Sequence, residues 1–354
     1  MRKTRNSIVL TAIVAMCLAQ ASAFAQGGLF SPQKVVNQYT TVGIGGGSSH
    51  YFGDLAPYRF FYHSLYKNVR WNGTINYTRY FTPQAAARVQ FTWARILGDD
   101  YTFAQAEPEV LWRNYVRNLH FRNDIKEFTI SGVFNILPQY SKGPRGRKTF
   151  MPYVSIGAGF IAHNPMAYLP SELAVGEKKK DNWIALRDLK TVGQGLPSNP
   201  DKPYSLVQAV IPVGFGIRYK INDKWDFTIE GGLRISPSDY LDDVGNDQYA
   251  DPNELSRNFG PTSAALAQRS TEVFSRTGEN RIPILSQIAS DASKVNGIST
   301  NPLDRNLFAS VEGFSAADDN GKRRGSSGRP DSYFLTQFTI SYIISNKIQC
   351  PVIK

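Results

Sequence analysis

Cysteine and histidine are both scarce in this chain. Of 354 residues, only Cys17 and Cys350 carry thiols, and the histidines are His50, His63, His120 and His163. Cys17 lies in the apolar stretch of an expected export signal, which leaves Cys350 alone in the mature protein. A single cysteine in an oxidising compartment cannot close an internal disulfide; it is free, lipidated or paired with a partner. No G-x-S-x-G elbow occurs. His50 has Ser48, Ser49 and Asp54 close by in sequence, but neighbours on one strand point to alternate faces, so they make no case for a catalytic triad. The glycines Gly43 and Gly45 to Gly47 lack the Gly-Lys-Ser/Thr ending of a phosphate loop. The Asp242-Asp243, Asn246 and Asp247 spacing does not match an EF-hand and reads as solvated turn carboxylates. Long apolar runs are missing too: outside the first 25 residues nothing approaches the ~18 residues of a transmembrane helix.

Residues 1–25 have the plan of a secretory signal. Arg2, Lys3 and Arg5 precede the apolar Ile8 to Leu18, and small residues end at Ala25. The formal charge is +11, and losing the three signal cations leaves +8. In an exported chain without a recognition motif, that excess suits loop and lumen cations and contact with outer-membrane lipids; a nucleic-acid partner is not expected.

Alternation of period two fills the rest of the chain. Ala209, Ile211, Val213, Phe215, Ile217, Tyr219 and Ile221 share one face, while Val210, Pro212, Gly214, Gly216, Arg218 and Lys220 share the other. After Asn222-Asp223-Lys224 the pattern restarts, with Trp225, Phe227, Ile229 and Leu233 opposite Asp226, Thr228, Glu230 and Arg234. Similar runs lie around Trp71–Thr78, Arg88–Ala94, Phe128–Ile136, Tyr153–Phe160 and Phe334–Ile344, with a glycine-rich first run near Tyr39–Phe52. Soluble strands average about 5–6 residues, whereas strands that cross a bilayer need about 9–11. Eight such strands predict an all-β fold, an eight-stranded antiparallel transmembrane β-barrel with long extracellular loops. A mean hydropathy of −0.32 agrees, since only every second strand residue is apolar. Short turns at Thr82-Pro83-Gln84 and Asn222-Asp223-Lys224 face the periplasm and long loops face outward. The connection from Pro138 to Thr149 fits this rule less well.

The expected organisation is a signal peptide (1–25) and an outer-membrane barrel domain (26–354). Residues 241–331 form a long extracellular insertion and 345–354 a periplasmic tail. Short helices are expected at Ser263–Arg276 and Ile284–Val295, and Asp318 to Gly325 reads as a mobile tip. Arg88, Arg218, Glu230 and Arg234 fall on the polar, lumen-facing side. An eight-stranded barrel is just wide enough to be filled by its own side chains, and buried charges must be paired. Glu230 is therefore expected to pair with one or more of these arginines, giving a plugged scaffold. No catalytic, cofactor or metal residue is expected.

Four segments then carry a resemblance: Tyr51-Phe52-Gly53-Asp54-Leu55, Asn118-Leu119-His120-Phe121-Arg122-Asn123-Asp124-Ile125, Tyr240-Leu241-Asp242-Asp243-Val244, and Cys350-Pro351 near the terminus. Their order and placement resemble the PorG-like outer-membrane barrels of the Bacteroidetes type IX secretion and gliding machinery. The long insertion departs from the compact form of that family. The resemblance implies a non-enzymatic component that anchors a periplasmic ring, made of a PorK-like lipoprotein and a PorN-like subunit, to the outer membrane. It also implies that Cys350 is a candidate for an intermolecular disulfide with a ring subunit. A small pore and a surface-binding adhesin barrel are the alternatives.

Overall fold

The computed structural model describes residues 39–56, 65–138, 144–169, 182–245, 249–290, 324–325 and 330–344. The export signal and Cys350 lie outside the described residues.

Eight long antiparallel strands form the wall: β1 (Tyr39–Phe52), β2 (Arg70–Tyr80), β3 (Ala85–Asp99), β4 (His120–Asn135), β5 (Phe150–Ala162), β8 (Val207–Lys220), β9 (Trp225–Ile235) and β10 (Ser332–Ile344). Two short strands, β6 (Pro165–Tyr168) and β7 (Trp183–Ala185), pair as a hairpin beyond the end of β4. Each wall strand pairs with its neighbour, β1 pairs with β10, and β3 pairs with β4, so the sheet has no free edge in the wall. Closure pairs the wall strands all the way round the ring, the condition for crossing hydrocarbon with strands. This is the closed eight-stranded antiparallel transmembrane barrel expected from the alternation.

The alternation is inverted relative to a soluble protein. Apolar side chains face out: Ile44 is 67% exposed and Phe160 63%. Polar ones such as Thr74, Gln90, Glu127 and Gln337 face in and are buried. Aromatic pairs flank the apolar belt at both ends. Trp71 and Trp93 meet edge to face at 5.4 Å near the loop end. Phe150–Tyr219 and Trp225–Tyr342, each at 5.0 Å, lie near the turn end. Two aromatic girdles around an apolar band mark the two interfaces of a bilayer.

The glycines of β1 permit close approach at the strand that joins the two chain ends. A Cβ on Gly43 would sit 2.6 Å from Ser341 Oγ, and one on Gly47 would collide with the Thr336 backbone carbonyl. No flexible side chain can yield at Gly47, because the obstacle is the paired β10 backbone.

At the turn end, the connection after β4 explains its poor fit to the short-turn rule. It carries the 3-10 turn Pro144–Gly146 and then folds Arg147 under the barrel. Arg147 donates to Asn222 O at 2.9 Å and to Asp226 Oδ1 at 3.0 Å, and is buried. Arg147 thus lies across the turn-end mouth.

At the other end the described parts of the long connections fold together. Helices span Asp100–Ala104, Trp112–Arg117, Leu186–Leu189, Pro252–Phe259, Pro261–Ala267 and Ile282–Ser290. Both expected helices of the insertion start two residues earlier, the first ends at Ala267, and residues 291–295 of the second lie outside the described residues. The Pro252–Phe259 helix was not anticipated, although Asp251 caps Asn253 N at 2.8 Å and Pro252 opens the first turn, a standard start signal. Arg324, expected in a mobile tip, is 2% exposed and held inside this body.

Candidate functional site

The charged residues of the inward face lie in three tiers across the lumen. In the middle tier, Arg88 on β3 donates twice to Glu230 on β9, Nη1 to Oε2 at 2.6 Å and Nη2 to Oε1 at 2.9 Å. These strands are separated by three others in either direction round the ring, so the pair spans the full bore. Tyr153 on β5 adds its hydroxyl to Glu230 Oε2 at 2.6 Å. A forked arginine–carboxylate pair with a third donor is the kind of geometry that can offset the loss of hydration.

Arg218 and Arg234 have other carboxylates. Arg218 donates to the Tyr80 hydroxyl of β2, also directly opposite, and its Nε lies 3.8 Å from Asp226. Arg234 Nε lies 3.4 Å from Glu127 Oε2, which also accepts from the Tyr333 hydroxyl at 2.5 Å. So the four lumen charges do not form one network: Glu230 takes Arg88, while Asp226 and Glu127 serve the other two arginines. Glu127 and Arg147 escaped the sequence reading; the inward parity of Glu127, one residue before outward Phe128, was the available signal. Beside Arg88, Glu230, Arg218 and Asp226 a space of about 30 Å³ is left, room for a water or two.

Three of the four resemblance-bearing segments meet at the loop-end mouth; the fourth, Cys350-Pro351, lies outside the described residues. Tyr51, from the first, lies with its hydroxyl 2.6 Å from Asp242 Oδ2, from the third, and 2.7 Å from Asp331 Oδ1, just before β10. Asn123, from the second, donates to Leu241 O at 2.7 Å. Tyr51 and Phe121 meet edge to face at 4.7 Å. Leu55, Phe121, Ile125, Leu241, Val244 and Leu335 fill the space beneath as one apolar cluster.

Asp242 and Asp243 are therefore not solvated turn carboxylates; both are buried. Asp243 takes the left-handed backbone at φ 67°. It accepts from Thr191, from the Tyr204 hydroxyl at 2.7 Å and from Arg324 Nη2 at 3.2 Å. Burial pushes the Asp243 carboxyl up, and Arg324 partly opposes this. Arg117 completes the circuit. It grips Asp100 at 2.7 and 2.8 Å and donates to Arg324 O at 2.7 Å and Asp54 O at 2.8 Å. Residues from all four long connections thus meet at Arg117, Arg324 and Asp243.

A second layer rests on the same body. Arg281 donates to Tyr115 O and Val116 O at 2.6 and 2.9 Å, capping the last turn of the Trp112–Arg117 helix. Its pKa is pushed down to about 10 by burial. Arg276 holds Asp99 at 2.7 Å. Among the described residues, no three His, Cys, Asp or Glu side chains come together as a metal site. Ser48 and His50 are 2.8 Å apart on the outward face of β1, while Asp54 sits in the cap, its carbonyl on Arg117.

No protein-family model matches this chain, and comparison with curated proteins gives no match. Among solved structures it is similar to Neisserial surface protein A, at 8% identity and a TM-score of 0.30 over 55% of this chain and 82% of that one. It is also similar to the outer membrane protein OprG from Pseudomonas aeruginosa, at 6% identity and 0.31 over 88% and 99%. The attachment invasion locus protein Ail of Yersinia pestis gives 13% and 0.27 over 56% and 87%.

Proposed function

We propose that this chain is a non-catalytic outer-membrane scaffold of a type IX-like secretion apparatus, with periplasmic termini, that ties a periplasmic ring of PorK-like and PorN-like subunits to the membrane. The observation that carries this reading is the double closure of the barrel. Three polar tiers fill the bore, Arg147 lies across the turn end, and three of the segments that resemble PorG-like proteins meet at the loop end. A bore crossed by three charged tiers suits anchoring better than transport. The Tyr51, Asn123 and Asp242 contacts support the family resemblance because three separately weak sequence segments meet in one structure.

The test is purification of the intact chain from outer membranes after mild cross-linking, with and without reductant. Recovery of a periplasmic lipoprotein together with a second ring subunit is the expected result. A reductant-sensitive adduct that disappears in Cys350→Ser would make the tie covalent. Recovery of neither subunit overturns the anchoring role. The folded body at the loop end favours a second reading, a surface-binding barrel, because helices and buried ion pairs give it a fixed outer shape. Deleting part of 241–331 would then abolish surface binding and spare secretion.

A further inference from the structure

Charge on the outward face of the wall is concentrated on two adjacent strands near the loop end. On β5, β8, β9 and β10 the outward side chains nearest that end are uncharged, among them Phe160, Val207 and Ile235. On β3 and β4 the same level carries Arg95, Arg122, Asp124 and Lys126. The register sets Arg95 beside Asp124 and Leu97 beside Arg122. Three cations against one carboxylate leave this strip positive.

The strip is ordered. Arg95 grips Asp124 at 2.5 and 2.8 Å and lies 5.8 Å from the Trp71 ring. Arg122 lies 4.5 Å from the Trp183 ring. Lys126 is exposed. An arginine held against an aromatic ring presents a positioned positive charge. The height of the strip matters as much as its charge. It begins where the tryptophan girdle ends, and girdle tryptophans sit at head-group level.

We propose that Arg95, Arg122 and Lys126 form a docking site for the phosphorylated head group of an outer-leaflet glycolipid, on this one side of the barrel. This rests on the outer-membrane reading above, which places the loop end outside. The chemistry is charge complementarity between fixed guanidiniums and a sugar phosphate held at the interface. The acyl chains of the same lipid then lie along the apolar belt below.

The experiment uses the full mature chain, folded into zwitterionic vesicles doped with phosphorylated lipid A, dephosphorylated lipid A or phosphatidylglycerol. Lipid retained by the protein after extraction is measured by native mass spectrometry. Phosphorylated lipid A is expected to be retained selectively. Arg95→Gln/Arg122→Gln/Lys126→Gln should lose that retention by roughly fivefold per cation, on the order of a hundredfold in all. Arg79→Gln/Lys224→Gln, which removes charge at the opposite end, should retain it like the parent. If the triple variant does not fold, Lys126→Glu at the exposed position is expected to give a loss of at least the single-cation size. Equal retention by parent and variants, or equal retention of phosphatidylglycerol, overturns the site. A heat-modifiable gel band reports barrel insertion separately; a parent chain without it overturns the membrane reading and the lipid site together.

Discussion

Asp242 and Asp331, from opposite ends of the longest connection, meet at a single phenol. The Tyr51 hydroxyl is 2.6 Å from one and 2.7 Å from the other. One hydroxyl hydrogen cannot serve two carboxylates, so one acid must keep its own proton and donate it. The surroundings agree. Asp242 is pushed up to about 8, first by burial and then by the negative Asp54. Asp331 is raised well above the carboxylate range, by burial and then by Asp242. Backbone N–H groups of Val244 and Leu241 fill the remaining oxygens at 2.8 and 2.9 Å. The proton is part of the staple that returns the chain to β10.

The pH dependence follows from that proton. The folded cap holds it where the unfolded chain, with carboxyls near pKa ~4, has released it. More protons bound in the folded form means stability falls as pH rises. The contribution is fully present below about pH 4 and lost as pH climbs through about 8. Hydrogen exchange of residues 236–245, corrected for intrinsic rate, should therefore be faster at about pH 9 than at about pH 6. Asp331→Asn keeps the shape without the ionisation and should flatten this response; a parent whose protection is the same at both pH values would refute the shared proton.

The lumen pair makes a stability prediction. Glu230→Ala leaves Arg88 buried without its carboxylate, and breaking one partner of a buried pair costs about 3–5 kcal/mol. Arg88→Met should cost a similar amount, though Tyr153 still donates to Glu230 and softens the loss. The double variant Arg88→Met/Glu230→Gln should recover most of it, because no unpaired charge remains. Urea unfolding in vesicles, followed by tryptophan fluorescence, reads all three. Single variants as stable as the parent would mean the pair is incidental.

Gly47 is required by the backbone opposite it. Alanine there must push the Thr336 carbonyl out of the β1–β10 ladder, and such overpacking costs about 1–3 kcal/mol. Gly73 on β2 has nothing within 4 Å of a built Cβ, so Gly73→Ala should leave stability nearly unchanged. The comparison is made on unfolding midpoints in the same lipid. Equal effects at the two positions would show that β1 yields locally.

The wall was legible in the sequence because its physics is local. Alternation alone marks β8, expected at Ala209–Ile221 and found at Val207–Lys220, and parity alone puts Arg88, Arg218, Glu230 and Arg234 inside. Which carboxylate each arginine takes was not legible, because Arg88 and Glu230 meet across the bore, and diametric contacts depend on closure rather than on strand pattern. The cap was least legible. Asp242 and Asp243 look like turn residues, and Arg324 sits in a charged run that reads as a mobile tip. Their burial arises only when four connections converge, and no periodicity records that convergence. The resemblance-bearing segments flagged the right residues without showing that they touch.

Arg117 is the residue on which that convergence turns, and its loss should separate cap from barrel. It makes two bonds to Asp100 and one each to Arg324 O and Asp54 O. Arg117→Met takes the cation from buried Asp100, which keeps only Asn114 Nδ2 and Leu119 N as donors, and removes the Arg117 donors to the Arg324 and Asp54 carbonyls, a loss of about 3–5 kcal/mol as for other broken buried pairs. The wall does not share it, since its tiers rest on Arg88, Arg218 and Arg234. Limited proteolysis from outside intact cells should therefore cut the long connections of Arg117→Met much faster than those of the parent. The heat-modifiable shift of the barrel should stay as it is. Cap and wall failing together would mean that they unfold as one unit, and that the cap helps hold the membrane barrel closed.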